Sequence, residues 1–384
     1  MRDGKMRAKL EDFLQEVCEK TITNNQYPVL TSSKSGLFLQ SDYFNKQVAS
    51  KDNTGYKIIR RGQFTYRAMS DTGKFFPNML ECADVGIVSP AYPVFEIIKQ
   101  DQIVPEYLNY YFKSNRFQNS ISTFAQGSTR TSVKFGKLKK VSIELPEIKK
   151  QYQIIRTLDL LRTIINNRKK EVLELDELIR ARFVEMFGED IKQSNMTIAD
   201  IAEETTVGIA NSATHAYSKS GVVMLRNQNI RVNYLDDRDL IYIKQDFAEK
   251  YKNKALHEGD ILVTRTGANV GMACIVPKKY EGCQTFTTLI LRLRKDISIS
   301  PIFVCHYINS PLGKSFVDEN KIGGGQPNFG AKQLSIMPIV VPSEEKQIAF
   351  DLFVNQVDKS KATVQKALDE TQLLFDSLMQ QYFG

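Results

Sequence analysis

The sequence predicts an α+β protein made of two units with irregular β-rich cores, each followed by a long heptad-patterned helix. Three observations predict it. The second half of the 384-residue chain restates the first at a constant offset of 196 residues: Pro105 answers to Pro301, Tyr111 to Tyr307, Leu138 to Leu334, Ile143 to Ile339, Pro146 to Pro342, Gln151 to Gln347, and Phe187-Gly188 to Phe383-Gly384. The segment after each Pro-x4-Gln carries apolar residues at alternating steps of four and three. The remaining segments are short strand-like strings broken by turn residues. No gap is needed from Pro105 to Gly188, so the two copies share one length of frame. A duplicated frame implies a two-fold job.

In the first segment, residues 1–150, Tyr56-Lys-Ile-Ile-Arg60 and Gly62-Gln-Phe-Thr-Tyr66 alternate apolar and polar, and Val85-Gly-Ile-Val88 follows. A short helix after Pro105 leads to the polar loop Gln126-Gly-Ser-Thr-Arg-Thr-Ser132. Residues 151–188 then carry the frame Ile154, Leu158, Leu161, Ile165, Arg168, Val172, Leu175, Ile179, Arg182, Met186. That 3.5-residue period is the signature of helices winding on each other. With no Pro before Gly188, a helix of roughly 34 residues spans about 50 Å.

The second segment, residues 189–346, is richer in strand strings: Val222–Leu225, Leu240–Ile243, Gly259–Thr264, Met272–Val276 and Thr288–Leu293. It repeats the order of short helix after Pro301, then loop, here Gly323-Gly-Gly-Gln-Pro-Asn328. Residues 347–384 repeat the seam as Phe350, Val354, Val357, Lys361, Val364, Leu368, Thr371, Phe375, Leu378, Tyr382. Polar intrusions at Arg168, Arg182, Lys361 and Thr371 weaken the seam and are candidates for setting its register or direction. Two ordinary amphipathic helices, each packed on its own unit, are the alternative. Equal length and equal frame favour helices that pack on each other.

Composition sets bounds. With 42% hydrophobic and 25% charged residues the chain reads as a soluble globular protein with room for two or more cores. It has no run of 18 apolar residues and no signal-peptide core between Met1 and Lys20, so the expected location is cytoplasmic, away from membranes. Cys18, Cys82, Cys274, Cys283 and Cys305 are scattered and lack a Cys-x-x-Cys, which predicts buried free thiols in a reduced compartment and no zinc site. The net charge of +8 is uneven: 30 Lys and Arg against 21 Asp and Glu give +9 for residues 1–188, and 22 against 23 give −1 for residues 189–384. The excess concentrates at Arg130, Lys134, Lys137, Lys139 and Lys140, of which the first three lie between the loop at Gly127 and a strand expected near Leu138. A polyanionic partner is the natural inference, and a solvated face is the alternative.

A search for catalytic chemistry yields little. The chain has no Asn-Pro-Pro-aromatic or Asp-Pro-Pro-Tyr signature of methyl transfer, and Gly313-Lys314-Ser315 has Ile308 where a phosphate loop requires its earlier Gly. The Gly323–Gly325 run lacks the spacing of a dinucleotide fingerprint. His215, His257 and His306 are isolated from one another and from the cysteines, which argues against metal ligation. Asp236-Asp237-Arg238-Asp239 reads as a solvated turn.

On these residues the chain resembles the specificity subunit of type I restriction-modification systems. The resemblance runs along essentially the whole chain, in the order unit, helix, unit, helix. It rests also on Arg61-Gly-Gln-Phe-Thr-Tyr-Arg67 and Gly259-Asp-Ile-Leu-Val-Thr-Arg-Thr-Gly267, on Leu225-Arg-Asn-Gln-Asn-Ile230, and on the Leu-x4-Ile-x2-Pro-x4-Gln string before each long helix. The resemblance implies target-recognition domains at 1–150 and 189–346, each reading one half of a split double-stranded DNA target. It also implies spacer helices at 151–188 and 347–384 paired as an antiparallel, pseudo-two-fold coiled coil. Two methyltransferase subunits and restriction/motor subunits are the implied partners, and S-adenosylmethionine, ATP and Mg belong to those partners, with no cofactor, metal or catalytic residue on this chain. Two departures stand out: Gly323-Gly-Gly-Gln326 matches Gly127-Ser-Thr-Arg130 poorly, and the second half lacks the basic excess.

Base reading needs directional donors and acceptors on loops held by a rigid scaffold. The residues expected to face DNA are Ser32, Ser33, Lys34, Arg67, Met69, Ser128, Arg130, Lys134 and Lys137 in the first unit. In the second they are Arg226, Asn227, Gln228, Arg265, Thr266, Asn269, Gln326 and Asn328. Capping and turn roles are the alternative for each, above all for the serines and threonines. Two other classes of function stay open: a self-sufficient nucleic-acid-modifying enzyme with unrecognised motifs, and a scaffold that binds no DNA.

Overall fold

In the computed structural model, residues 6–43, 52–127, 130–193, 196–210, 213–323, 325 and 327–384 are described. The chain divides into two compact units, residues 1–169 with 366–384 and residues 170–365. Two long helices, Ile148–Ile191 and Glu344–Phe383, each contribute one part to each unit.

The first unit is built on an antiparallel four-stranded sheet in the order Leu14–Val17, Val94–Ile97, Phe64–Thr65, Asn78–Met79. The second repeats that sheet as Ala202–Val207, Leu289–Leu293, Ile261–Val263, Ala273–Ile275. Phe64, Phe95, Ile261 and Leu291 are fully buried, and so are their strand neighbours Thr65, Val94, Leu262 and Ile290, so both faces of these sheets are covered there. Each unit then sets two short helices on its core: Pro105–Tyr111 and Asn115–Ser122, answered by Pro301–Asn309 and Pro311–Asn320. Pro opens the first of each pair, and a serine caps the second, Ser114 accepting from the Phe117 amide and Ser310 from that of Gly313. The second unit adds a second four-stranded sheet containing Val222–Arg226 and Ile241–Ile243.

The repeat reaches further than the sequence comparison does. Lys9 pairs with Ser142 and Thr197 with Pro338, while Leu14 pairs with Ile97 and Ala202 with Leu293. The first strands of the two units therefore correspond at an offset of 188. Even a local cap is copied: the Lys9 amide donates to Asp12 at 3.1 Å and the Thr197 amide to Asp200 at 2.7 Å.

Within the first unit the start of the central helix runs antiparallel to the end of the C-terminal one. Arg168 donates to the Ala367 carbonyl and the Thr371 hydroxyl, and Leu158 lies in one core with Phe375, Leu378 and Tyr382. Within the second unit Lys361 pairs with Asp176, Lys346 with Asp190 at 2.7 Å, and Phe350 packs on Phe183 and Phe187. The polar intrusions thus find partners across the seam, two of them each other. The seam itself drifts from the expected frame. In its last turns the central helix buries Ile179, Phe183, Phe187 and Ile191, a step of four throughout, so Phe183 takes the core place expected of Arg182. Arg182 lies instead over the Phe353 ring and pairs with Glu185. The helix also continues through Gly188, because Ile191 beyond it is buried.

Three expectations are corrected. The strand expected near Leu138 begins at Ser142, after a helical turn at Phe135–Leu138 that buries Phe135 and Leu138. Cys274 and Cys305 are buried, but Cys18 and Cys82 are exposed. The acidic turn is not merely solvated: Asp236 receives Arg231 and Arg238, Asp237 receives Lys279 and Tyr280, and Asp239 receives Arg226. The Arg238 guanidinium, foremost, holds the Asp236 carboxyl below the usual carboxylate range. Among the described residues no helix is long and apolar enough to cross a membrane.

Candidate nucleic-acid interface

In each unit one main-chain frame presents the candidate residues. In the first, Met69–Ser70 pairs with Thr131–Ser132, the Val133 amide donates to the Ala68 carbonyl at 3.0 Å, and the buried Tyr66 hydroxyl donates to the Val133 carbonyl at 3.0 Å. Gln126 and Ser132 close the loop with two reciprocal amide-carbonyl bonds of 3.1 and 2.8 Å. In the second unit Ile322 and Asn328 make the same two bonds at 2.8 and 2.9 Å, Thr266 bridges to Asn328, and the Phe329 amide donates to the Arg265 carbonyl at 2.8 Å. Loops that match poorly in sequence are therefore closed by one set of bonds. Each opens on a glycine with positive φ, Gly127 at 119° and Gly323 at 99°. At Gly127 a Cβ would lie 2.1 Å from the Arg130 carbonyl oxygen, so no other residue fits.

The same bonds fix the equivalences. Arg265 stands where Ala68 does, and Thr266 where Met69 does. The arginines of the two similar-looking strings, Arg67 and Arg265, are not counterparts.

The first unit gathers its candidates well. Ser32, Ser33, Lys34, Arg67 and Met69 all line one hollow of about 220 Å³, to which Asp71 and Lys74 add opposite charges. Its geometry depends on a residue that the sequence reading missed. Asn78, 1% exposed, donates from Nδ2 to Ser32 Oγ at 3.1 Å, to the Ser33 carbonyl at 2.8 Å and to the Phe76 carbonyl at 3.0 Å. A polar residue inside an otherwise apolar strand was the available signal. Asp71, also missed, forms ion pairs with Arg130 Nε at 2.9 Å and Arg67 Nη2 at 3.7 Å. Lys134 precedes the Phe135–Leu138 turn and is exposed, and Lys137 is half-buried within it, while Lys139 lies over the Phe135 ring. Ser128 lies outside the described residues.

The second unit ties its candidates together more tightly. Asn227 Nδ2 donates to Thr266 Oγ1 at 3.2 Å, and its Oδ1 accepts from Thr288 at 3.4 Å. Arg265 Nε donates to Asn328 Oδ1 at 3.1 Å. Arg226 and Gln228 both reach Asp239 Oδ2, at 3.2 and 2.7 Å. Beneath them the buried Asn229 accepts from the Arg226 amide and donates to the carbonyls of Asp236 and Asp239. Asn269 stands apart from these networks and lines a separate hollow of about 450 Å³ with Gly271, Met272 and Lys314. Gln326 lies outside the described residues. Both surfaces are directional arrays of donors and acceptors on rigid strand ends, suited to reading polar edges.

Comparison with known proteins follows this architecture. Residues 11–175 and 192–371 each match the family described as "Type I restriction modification DNA specificity domain". The specificity subunit of the type I restriction enzyme EcoKI of Escherichia coli (strain K12) is 19% identical over 292 residues, 71% of this chain and 63% of that subunit. The StySPI specificity subunit of Salmonella potsdam is 21% identical over 296 residues, 72% of this chain and 64% of that one. The chain thus spans less than two thirds of the length of these relatives. The crystal structure of the type I restriction-modification S subunit from M. genitalium shares the fold with a TM-score of 0.57 at 14% identity, over 100% of this chain and 97% of that one.

Proposed function

We propose that this chain, which belongs to the type I restriction-modification DNA specificity family, reads a two-part duplex DNA target with one recognition unit per half and confers that target on partner enzymes without catalysis of its own. Reading is assigned to residues 1–150 and 189–346, and spacing to 151–188 and 347–384. The observation that carries the proposal is the frame common to both units: identical loop closures at Gln126 and Ile322 present different side chains, Met69 against Thr266 and Ser132 against Asn328. One scaffold with two reading surfaces is what a split, asymmetric target demands.

In this reading two methyltransferase subunits bring S-adenosylmethionine, and restriction/motor subunits bring ATP and Mg. Arg67, Arg130, Arg226 and Arg265 suit guanine edges, Asn227 and Asn328 suit adenine, and Ser32, Ser33 and Thr266 suit either bases or phosphates. Lys34, Lys134 and Lys137 suit phosphates. Methylome sequencing of cells with and without the chain tests the proposal. The expected result is a split motif methylated only when the chain is present. Methyl transfer by the isolated chain, or a methylome that is unchanged without it, would overturn the assignment.

A further inference from the structure

Every arginine proposed to face DNA has an ion-pair or hydrogen-bond partner in its own unit. Arg67 and Arg130 converge on Asp71, Arg226 reaches Asp239, and Arg265 reaches Asn328. The lysines differ: among the described residues Lys34, Lys134 and Lys137 have no ion pair. That division matters physically. An untethered cation neutralises any phosphate and adds affinity that is blind to sequence. An arginine paired one to one with a carboxylate, as Arg226 is with Asp239, has little net charge left to offer a phosphate, whereas Arg67 and Arg130 together keep one positive charge beyond Asp71. Where the acid also accepts a hydrogen bond, as Asp239 does from Arg226 at 3.2 Å, the remaining N–H groups are fixed in direction, and the O6 and N7 acceptors of guanine reward direction rather than charge.

We propose that Asp71 and Asp239 are specificity-determining positioning residues, which convert the arginines beside them from phosphate anchors into base readers. Asp71 is well placed for this. It lines the 220 Å³ hollow and follows Ser70, whose carbonyl accepts from the Thr131 hydroxyl at 3.1 Å, so the ladder that carries Arg130 also fixes its carboxylate partner. Two guanidinium groups share that one carboxylate. Asp239 is anchored differently. Its carbonyl accepts from the buried Asn229 at 3.0 Å, and its carboxylate gathers both Arg226 and Gln228, so two readers are aligned by one acid.

The inference rests on the DNA reading proposed above, and the test separates the two. The full chain, assembled with its methyltransferase partners, selects duplexes from a random pool. Affinity for unselected duplex is also measured across a salt series. Asp71→Asn is expected to make one position degenerate in one half of the selected target and to raise affinity for unselected duplex several-fold. It should steepen the log-log salt dependence by about 0.9 for each freed arginine that takes a phosphate. Asp239→Asn should do the same to the other half alone, and Asp71→Glu should keep the original target. An Asp71→Asn protein with the wild-type target and salt slope overturns the inference while leaving the DNA reading intact. So does a uniform loss of affinity for every duplex in both Asp71 variants, which marks a purely structural role. A wild-type assembly that enriches no sequence overturns both.

Discussion

Gln151→Ala should destabilise the first unit by about 4 kcal/mol, and the number follows from what the side chain holds. Gln151 is fully buried in the first turn of the central helix. Its Oε1 accepts from the Val104 amide at 3.0 Å, and its Nε2 donates to the carbonyls of Gln102 and Pro146 at 2.8 and 2.9 Å. Gln347 copies the arrangement with Ser300 at 2.6 Å, Ser298 at 3.1 Å and Pro342 at 2.8 Å. Alanine strands three main-chain groups in each unit. The groups on exposed Gln102 and Ser298 regain water, whereas those on buried Val104 and Pro146 do not. Each stranded buried group costs about 1–3 kcal/mol, which gives about 4 kcal/mol for Gln151→Ala. Ser300 is only half-buried, so about 3 kcal/mol is expected for Gln347→Ala. Two units need not unfold in one step, so urea unfolding should be paired with hydrogen exchange read separately at the Val104 and Ser300 amides. Gln151→Glu serves as a control of equal size, since a carboxylate cannot donate to two carbonyls. Losses under about 1 kcal/mol in both alanine variants would refute the bracket as the joint between helix and unit.

Three further outcomes are expected. One heptad added to both long helices lengthens each by about 10 Å, and the unread gap of the selected target should change by about three base pairs with both halves intact; an unchanged gap would show that the helices are not the ruler. Neutralising Lys134 and Lys137 together should weaken matched and mismatched duplexes alike and flatten the log-log salt slope by about 0.9 for each lost contact, whereas an unchanged slope would place this stretch away from DNA. Burial holds the His306 imidazole down to about 4 from its ordinary 6.5, against the weaker opposing pull of Asp176. The unfolded chain therefore binds the proton first, so the stability contribution is full above about pH 6.5 and is lost as pH falls toward 4, up to about 3 kcal/mol. His306→Phe should flatten that acid limb in pH-dependent unfolding, and an identical limb in both proteins would assign it to other groups.

The frame was legible because burial is periodic and the repeat preserves it. Gln151, Tyr111 and Phe187 keep their partners at the 196-residue offset, so identical residues mark identical jobs: the Tyr111 hydroxyl donates to the Ser142 carbonyl and the Tyr307 hydroxyl to that of Pro338. The first strands escaped notice because main-chain pairing, which carries no side-chain signature, defines them. Lys9 and Thr197 do the same work with unlike side chains, sharing only a β conformation and an amide bonded to the aspartate three residues on. Phe183 was misjudged for a different reason. A strict 3.5-residue frame extended over about nine turns drifts from a straight helix, and the last turns bury what lies four residues apart.

The reading surfaces were legible as loops and much less so as residues. Lys34 converges on one hollow with Arg67 and Met69 although it lies more than 30 residues from them in the chain, and turn composition alone pointed to both segments. What composition does not carry is which donors are already spent. Asp71 lies four residues from Arg67 but 59 from Arg130, and Asp239 sits in a turn that reads as solvent-facing until its partners are seen. A charge count over residues 130–140 registers Arg130 as one more free cation because the acid paired with it lies just past the neighbouring strand, Met69–Ser70. The local excess over residues 130–140 therefore overstates the charge that the reading loop offers to phosphates. Arg130 is paired with Asp71 and Lys139 lies over the Phe135 ring, so the exposed Lys134 and Lys140 with the half-buried Lys137 are what remain to meet a duplex of any sequence.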